Sequence, residues 1–218
     1  MSPQADLRRA LLDTARAMQA RGLSRGTAGN LSVRCAVGAH AGFLITPSGI
    51  DNDAASAEDM VEMTLDGRHA GPMLPSSEWR FHRDIYVQRA EAGAILHAHS
   101  PFATALACQG RPIPAFHYMI ARFGGSDIRC ARYATFGTQA LSDAALDALQ
   151  GRSACLLANH GMLVFGRDLP RALALAIEFE TLCEQYWRTL QIGPPQILDA
   201  AEMRLILEKF ATYGQQTR

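Results

Sequence analysis

The 218-residue sequence predicts one α/β domain, spanning residues 1–218, in which helices flank a central, largely antiparallel β-sheet. Three observations lead to this class. Short segments in which apolar and polar residues alternate recur along the chain, as expected for half-buried strands. Segments with helical apolar spacing lie between them and at both ends of the chain. No internal repeat, low-complexity tract or linker divides the sequence.

The helical segments carry start and stop signals. The first helix is predicted from Ser2, a suitable N-cap followed by Pro3, to a stop at Gly22, because residues 7, 11, 15 and 18 form one apolar stripe. Five further helices are predicted: about 76–89, from Ser100-Pro101 onwards, about 142–150, Pro170 to about 190, and from the capping-box-like pair Asp199 and Glu202 to about 214.

The strand segments are short. Six are predicted, at residues 31–35, 43–45, 61–65, 94–99, 154–158 and 162–165, and Asp66-Gly67 indicates a hairpin after the third. Residues 109–137 contain prolines, glycines and aromatic residues but no regular pattern, so we expect a long irregular loop there. A long loop inside a compact domain is usually functional.

Charge and composition exclude several classes of protein. Acidic and basic residues balance to a net charge of zero, which gives no support to nucleic-acid or anionic-membrane binding. No segment approaches the roughly 20 apolar residues that span a bilayer. The five cysteines include no C-x-x-C pair and are odd in number, so no disulfide framework is indicated. These features, with an N-terminus that lacks a secretory apolar core, predict a cytoplasmic protein without membrane or nucleic-acid partners.

Three histidines are candidate metal ligands. His97 and His99 are two residues apart on a predicted strand, so their side chains point to the same face. His160 lies in a turn between two predicted strands, where its side chain is accessible. Three protein nitrogens with one open position are typical of catalytic zinc. A chance surface pair explains the H-x-H pattern about equally well on the pattern alone.

Small-residue turns and one acid complete the candidate site. Backbone N–H groups and hydroxyls of Gly29-Asn30, Ser48-Gly49 and Ser76-Ser77 could surround a phosphate without positive charge, although each is also an ordinary turn. Glu78 follows at a predicted helix start, where it is either a functional carboxylate or a simple helix-start acid. His82, four residues later, is interpreted as part of a surface pair. No nucleotide-binding glycine motif is present.

Several ordered motifs together resemble the class II aldolase/adducin family, over nearly the whole chain. They are GTAGNLSVR (26–34), LITPSGI (44–50), LPSSEWRFH (74–82), HAHS (97–100), IPAFHYMI (113–120), ATFGT (134–138) and ANHG (158–161). The resemblance implies an α/β fold, a divalent metal (zinc, or another such as Mn²⁺, Co²⁺ or Fe²⁺) and a cyclic homotetramer with active sites at subunit interfaces.

The resemblance also implies a role for each matching residue. Metal ligands are implied at His97, His99, His160 and Glu78. Phosphate-binding positions are implied at Gly29, Asn30, Ser48, Gly49, Ser76 and Ser77. Glu78 and Tyr118 are implied as acid/base catalysts, and Phe136 and Tyr213 as residues that position the aldehyde. Ala98, Asn159 and Ser48 depart from the pattern of the relatives near the metal and the phosphate, and these departures bear on the sugar preference.

The reaction implied by the resemblance is reversible cleavage of a ketose 1-phosphate, L-fuculose 1-phosphate or a related deoxyketose 1-phosphate, to dihydroxyacetone phosphate and an aldehyde. Cleavage between C3 and C4 leaves an enediolate, which needs a metal ion or a lysine Schiff base. Because Lys209 is the only lysine, the composition favours the metal. The alternatives are a ketose-phosphate 4-epimerase, a methylthioribulose-phosphate dehydratase, a sugar-acid phosphate decarboxylase, or a non-enzymatic adducin-like scaffold.

Overall fold

The computed structural model describes residues 3–212. The helices are α1 (Pro3–Ala20), α2 (Trp79–Gln88), α3 (Pro101–Ala107), α4 (Gln139–Ala148), α5 (Leu169–Ile192) and α6 (Ala200–Thr212). The strands are β1 (Asn30–Val37), β2 (His40–Ile45), β3 (Val61–Thr64), β4 (His69–Ala70), β5 (Ala94–Ala98), β6 (Arg129–Ala131), β7 (Ala154–Leu157) and β8 (Gly161–Gly166). Ala57–Asp59 and Tyr118–Phe123 form short 3₁₀ helices.

The eight strands form one mixed sheet in the order β4-β3-β2-β1-β5-β8-β7-β6. Every neighbouring pair is antiparallel except β6 and β7, which are parallel. The predicted fold class, one α/β domain around a largely antiparallel sheet, is confirmed. The central strand β5 pairs with β1 on one side and β8 on the other, so the ends of these three strands lie together.

The sheet separates two apolar layers because successive strand side chains point to opposite faces. Leu96 of β5 packs in the layer that contains α1, α3, α5 and α6, whereas its neighbour Ile95 packs in the layer that contains α2 and α4. Phe43 and Leu44 of β2 divide in the same way. Helices therefore cover both faces, and the functional residues lie at one end of the central strands.

The element bounds correct several predictions. Residues 109–137 are not one irregular loop, because a bridge between Ile113 and Ile128, a 3₁₀ helix and β6 organise them. α4 begins three residues before the predicted start, where the Thr138 side chain accepts a hydrogen bond from Leu141 N. Glu78 precedes α2 at the N-cap position and does not lie in its first turn. The predicted cap Ser2 and the predicted end of α6 near residue 214 fall outside the described residues.

Within residues 3–212, every helix is too short or too polar to cross a bilayer.

Candidate metal centre and active site

Three histidines converge where β5 and β8 lie side by side. His97 is on β5 and fully buried, His99 follows the strand end, and His160 occupies the turn between β7 and β8. One nitrogen from each lies within 4.8 Å of the others, and the Nε2 atoms of His97 and His99 are 3.0 Å apart. The structure therefore brings together the three residues that the sequence singled out.

The orientation of His97 fits a metal ligand. Its Nδ1 lies 2.9 Å from the carbonyl oxygen of Met162, which can only accept a hydrogen bond, so Nδ1 carries the proton. The lone pair of Nε2 then faces the cluster. Metal-binding imidazoles are commonly oriented by such a bond from the second nitrogen.

The carboxylate of Glu78 completes the donor set. Its Oε2 is 3.2 Å from His97 Nε2, and its Oε1 is 3.4 Å from His160 Nε2. Oε1 is buried and has no hydrogen-bond partner among the described residues. A cation among the three imidazoles would satisfy this oxygen. Nitrogen and carboxylate donors suit zinc and also Mn²⁺, Co²⁺ or Fe²⁺.

The protonation states also suit a cation. Burial alone would raise the pKa of Glu78, but the neighbouring His97 and His160 and the hydrogen bond from Asn30 outweigh it and hold the pKa well below its usual range. Burial lowers the pKa of His160 to about 4 and also lowers that of His99. The carboxylate is therefore ionised and these imidazoles are neutral at pH 7, which are the forms that bind metals.

A cavity of about 330 Å³ opens in front of this cluster. All six residues that the resemblance implies at the phosphate line it, namely Gly29, Asn30, Ser48, Gly49, Ser76 and Ser77. None of the described residues that line it is a lysine or an arginine. An anion here would be held by backbone N–H groups, hydroxyls and the N-terminus of α2.

Hydrogen bonds tie the lining loops to each other and to the sheet. Ser48 N donates to Leu74 O at 2.9 Å, and Ser76 N donates to Thr46 O at 3.1 Å. Gly29 has a φ of +80°, and a Cβ at this position would lie only 2.8 Å from the carbonyl oxygen of His97. Glycine therefore allows the first loop to pass directly over the strand that carries the metal ligands.

A line of buried polar side chains extends from Glu78 into the protein. The amide of Asn30 donates to Glu78 Oε2 at 2.9 Å and contacts His82 Nε2 at 2.6 Å. His82 is fully buried, so its interpretation as a surface residue is wrong. The signal for it was the polar pair Asn30 and Ser32, two residues apart on β1, which both face α2.

The aromatic residues predicted for the site are not all in one place. Phe136 lines the cavity, together with Tyr133, which the sequence did not single out as a site residue. Tyr118 lies in a separate groove, where its ring stacks on that of Phe210 with centroids 6.4 Å apart. Tyr213 lies outside the described residues. In one chain, the cavity is thus open on the side where Tyr133 and Phe136 are 63% and 64% exposed.

Three histidines and a carboxylate thus lie beside a cavity lined by small-residue turns, and the comparisons with known proteins identify the family to which such a chain belongs. The family model described as "Class II Aldolase and Adducin N-terminal domain" matches residues 9–187. The chain belongs to this family.

Individual relatives cover almost the whole chain. The 5-methylthioribulose-1-phosphate/5-deoxyribulose-1-phosphate aldolase of Rhodospirillum rubrum is 56% identical, over 97% of this chain and 94% of its own. The L-fuculose phosphate aldolase of Escherichia coli O6:H1 is 46% identical, over 95% of each chain. Among solved structures, an L-fuculose 1-phosphate aldolase superposes with a TM-score of 0.90 and 40% identity, covering 97% of this chain and 98% of that one.

Proposed function

We propose that the chain is a divalent-metal-dependent aldolase that reversibly cleaves the C3–C4 bond of a ketose 1-phosphate into dihydroxyacetone phosphate and an aldehyde. One observation carries the proposal. The nitrogens of three histidines and a Glu78 oxygen without a hydrogen bond converge at a cavity that small-residue turns also line.

The metal would be held by His97, His99 and His160, with Glu78 as a further ligand when no substrate is bound. When bound, a divalent ion there supplies a Lewis acid for the carbonyl and hydroxyl oxygens of the sugar. The residues around it orient the sugar. Gly29-Asn30, Ser48-Gly49 and Ser76-Ser77 would receive the phosphate at C1, which places C3 near Glu78.

Glu78 is the proposed carrier of the C3 proton. Its ionised carboxylate suits removal of that proton from dihydroxyacetone phosphate in the synthesis direction. In the cleavage direction, one proton leaves the C4 hydroxyl, and the carboxylate takes up one proton from solvent and delivers it to C3, so that the proton count balances. The buried position of Glu78, next to the histidines and 6% exposed, keeps bulk water away from this transfer.

Tyr118 is the proposed carrier of the proton of the C4 hydroxyl. Because it lies outside the cavity of its own chain, this role requires a neighbouring subunit. We therefore propose a homotetramer in which Tyr118, and Tyr213 near the chain end, complete the site of an adjacent copy. The half-exposed groove around Tyr118 and Phe210 supports this arrangement.

The aldehyde half is proposed to lack a terminal hydroxyl. Tyr133, Ala134 and Phe136 form an apolar side of the cavity, which suits a methyl or methylthio group. The names of the relatives include 5-deoxyribulose 1-phosphate and 5-methylthioribulose 1-phosphate at 56% identity and L-fuculose phosphate at 46%. We therefore place the two pentulose phosphates ahead of L-fuculose 1-phosphate as substrates, and propose a cytoplasmic protein.

The test is a substrate panel with metal removal. The protein is stripped with a chelator, reloaded separately with Zn²⁺, Mn²⁺, Co²⁺ or Fe²⁺, and supplied with the three ketose 1-phosphates while dihydroxyacetone phosphate is measured. We expect release only from the loaded protein, and loss of both metal and release in His160→Ala. His69→Ala is the matched control, because His69 is exposed on the edge strand β4. Epimerised, dehydrated or unchanged sugar without released triose phosphate would refute the proposal.

A further inference from the structure

A buried line of hydrogen bonds, here called the His82 chain, connects Glu78 to the protein interior. Its members, in order, are Glu78, Asn30, His82, Ser32 and Tyr86. Beyond the two contacts of Asn30 already described, His82 Nδ1 lies 2.7 Å from Ser32 Oγ, and Ser32 Oγ lies 2.8 Å from Tyr86 Oη. All five side chains are buried, and Ser32 and His82 have no exposed surface.

The hydrogen bonds of the His82 chain run in one consistent direction. The N–H₂ group of Asn30 donates to Glu78 Oε2. The carbonyl oxygen of Asn30 then faces His82, whose Nε2 must donate. A neutral imidazole with its proton on Nε2 accepts at Nδ1, so Ser32 donates there and in turn accepts from the Tyr86 hydroxyl.

The surroundings keep the imidazole in this form. Burial, the largest cause, and nearby His97 together lower the pKa of His82 to about 3, against the opposing effect of Glu78. His82 therefore stays neutral over the working pH range. With Ser32 donating to Nδ1, only the tautomer protonated at Nε2 satisfies both neighbours, since the other would place a lone pair against the carbonyl oxygen of Asn30.

From this arrangement we infer that His82 is a positioning residue for Glu78: its Nε2–H sets the orientation of the Asn30 amide, and that amide holds the carboxylate at the metal cluster. A residue that only filled space between β1 and α2 would not need a nitrogen at both contacts. The inference rests on the proposed aldolase function, because it says which residues hold Glu78 in place for that reaction.

Two substitutions at His82 separate positioning from packing. His82→Gln retains an N–H₂ near the place of Nε2 and can still donate to Asn30. His82→Asn retains a polar group near the place of Nδ1, opposite Ser32, but lacks a donor toward Asn30. Both remove the ring, so both lower stability. We expect His82→Asn to lower kcat by about 10–100-fold, the range typical of lost outer-shell support, and His82→Gln to recover most of it.

Further readouts distinguish the two roles. At saturating metal concentration His82→Asn should still bind metal, because its three histidine ligands are untouched. The loss should appear in kcat more than in KM, because only one of the six phosphate-binding positions, Asn30, contacts His82. Tyr86→Phe is the matched control. It removes the far end of the His82 chain while leaving Ser32 able to donate to Nδ1, so its melting temperature should fall and its kcat should stay within about twofold of the wild type.

The position of Glu78 gives a test that does not depend on turnover. Crystal structures of the metal-loaded proteins should show the Glu78 carboxylate turned away from Asn30 in His82→Asn and in place in His82→Gln. If His82→Asn does not fold, Ser32→Ala takes its place. It changes the volume little and removes the hydroxyl donor that fixes the tautomer of His82. We then expect a smaller fall in kcat and a Glu78 carboxylate that is turned away from Asn30 in part of the molecules.

The outcomes separate this inference from the proposed function. If the wild type releases no dihydroxyacetone phosphate from any ketose 1-phosphate, the aldolase proposal fails, and the Glu78 position in the variants still decides the role of His82. If the wild type is active but His82→Asn and His82→Gln lose kcat equally, with Glu78 unmoved in both, His82 is a packing residue and the inference is wrong.

Discussion

Alanine should be tolerated far less well at Gly29 than at Gly26, although both glycines have left-handed backbone conformations in the same loop. Their φ angles are +80° and +56°. Placing a side chain in this region costs about 1–2 kcal/mol per residue. No atom lies within 4 Å of a Cβ built on Gly26, so Gly26→Ala meets only that cost.

Gly29→Ala has a second cost. The new methyl group would lie 2.8 Å from the carbonyl oxygen of His97 and 3.5 Å from the Cα of Ala98, which belong to the central strand and are held by both of its neighbours. Overpacking of this kind adds about 1–3 kcal/mol. At about 2–4 °C per kcal/mol for a domain of this size, we expect the melting temperature to fall by about 2–8 °C for Gly26→Ala and by about 4–20 °C for Gly29→Ala.

The assay combines thermal unfolding, followed by circular dichroism at a fixed metal concentration, with bound metal and turnover. Gly26→Ala should keep metal and kcat, whereas Gly29→Ala should lose part of both because the displaced strand carries His97. Equal melting temperatures and equal turnover for the two variants would show that a methyl group at residue 29 does not clash with β5, and this would refute the steric argument.

Three further predictions test the chemistry. Glu78→Gln should retain the circular dichroism spectrum and the KM of the wild type, but its kcat should fall by about 10²–10⁴-fold because the proton carrier is lost. Unchanged turnover would show that Glu78 is a helix-start acid only. The Tyr118→Phe and His97→Ala proteins should each be inactive alone. Mixed oligomers of the two should partly recover activity, because some interfaces then combine an intact Tyr118 with an intact His97. No recovery in verified mixtures would place both groups in the site of the same subunit. The unfolding free energy should fall as pH drops below 6.5 toward about 3, because His82 takes up a proton in the unfolded chain but stays neutral in the folded one. Urea titrations should show a slope that is smaller in His82→Gln by up to about 1.4 kcal/mol per pH unit. Part of the slope should remain in this variant, because the pKa values of His160 and His99 are also lowered.

The sequence predicted those parts of the site that depend on local pattern. His97 and His99 are found together because a strand repeats every two residues, and His160 and the small-residue turns have their own local signals. The family resemblance supplied Glu78 as a functional acid, which the helix-start position alone left undecided.

The parts that depended on long-range pairing were missed or wrong. Burial of His82 arises because α2 packs over β1 and brings it opposite Ser32, which no spacing within 74–82 reveals. Residues 109–137 gave no periodic pattern because their order comes from the Ile113–Ile128 bridge and from a 3₁₀ helix, whose few residues carry little propensity. The proposed role of Tyr118 in the site of a neighbouring copy depends on packing between copies, so it stays a prediction.

The two ends of the cavity differ in how many contacts hold them to the rest of the protein. Backbone hydrogen bonds join the turns at Ser48 and Ser76, and the turn at Gly29 lies directly against the central strand. Substitutions in these three turns should therefore disturb the sheet. Tyr133 and Phe136, by contrast, are largely exposed and bury little that the core depends on. We therefore expect mutations at the proposed aldehyde end to lower stability little and mutations at the proposed phosphate end to lower it more. If the proposed function holds, a lineage with this architecture can diversify its aldehydes while the triose-phosphate half of its substrates stays constant.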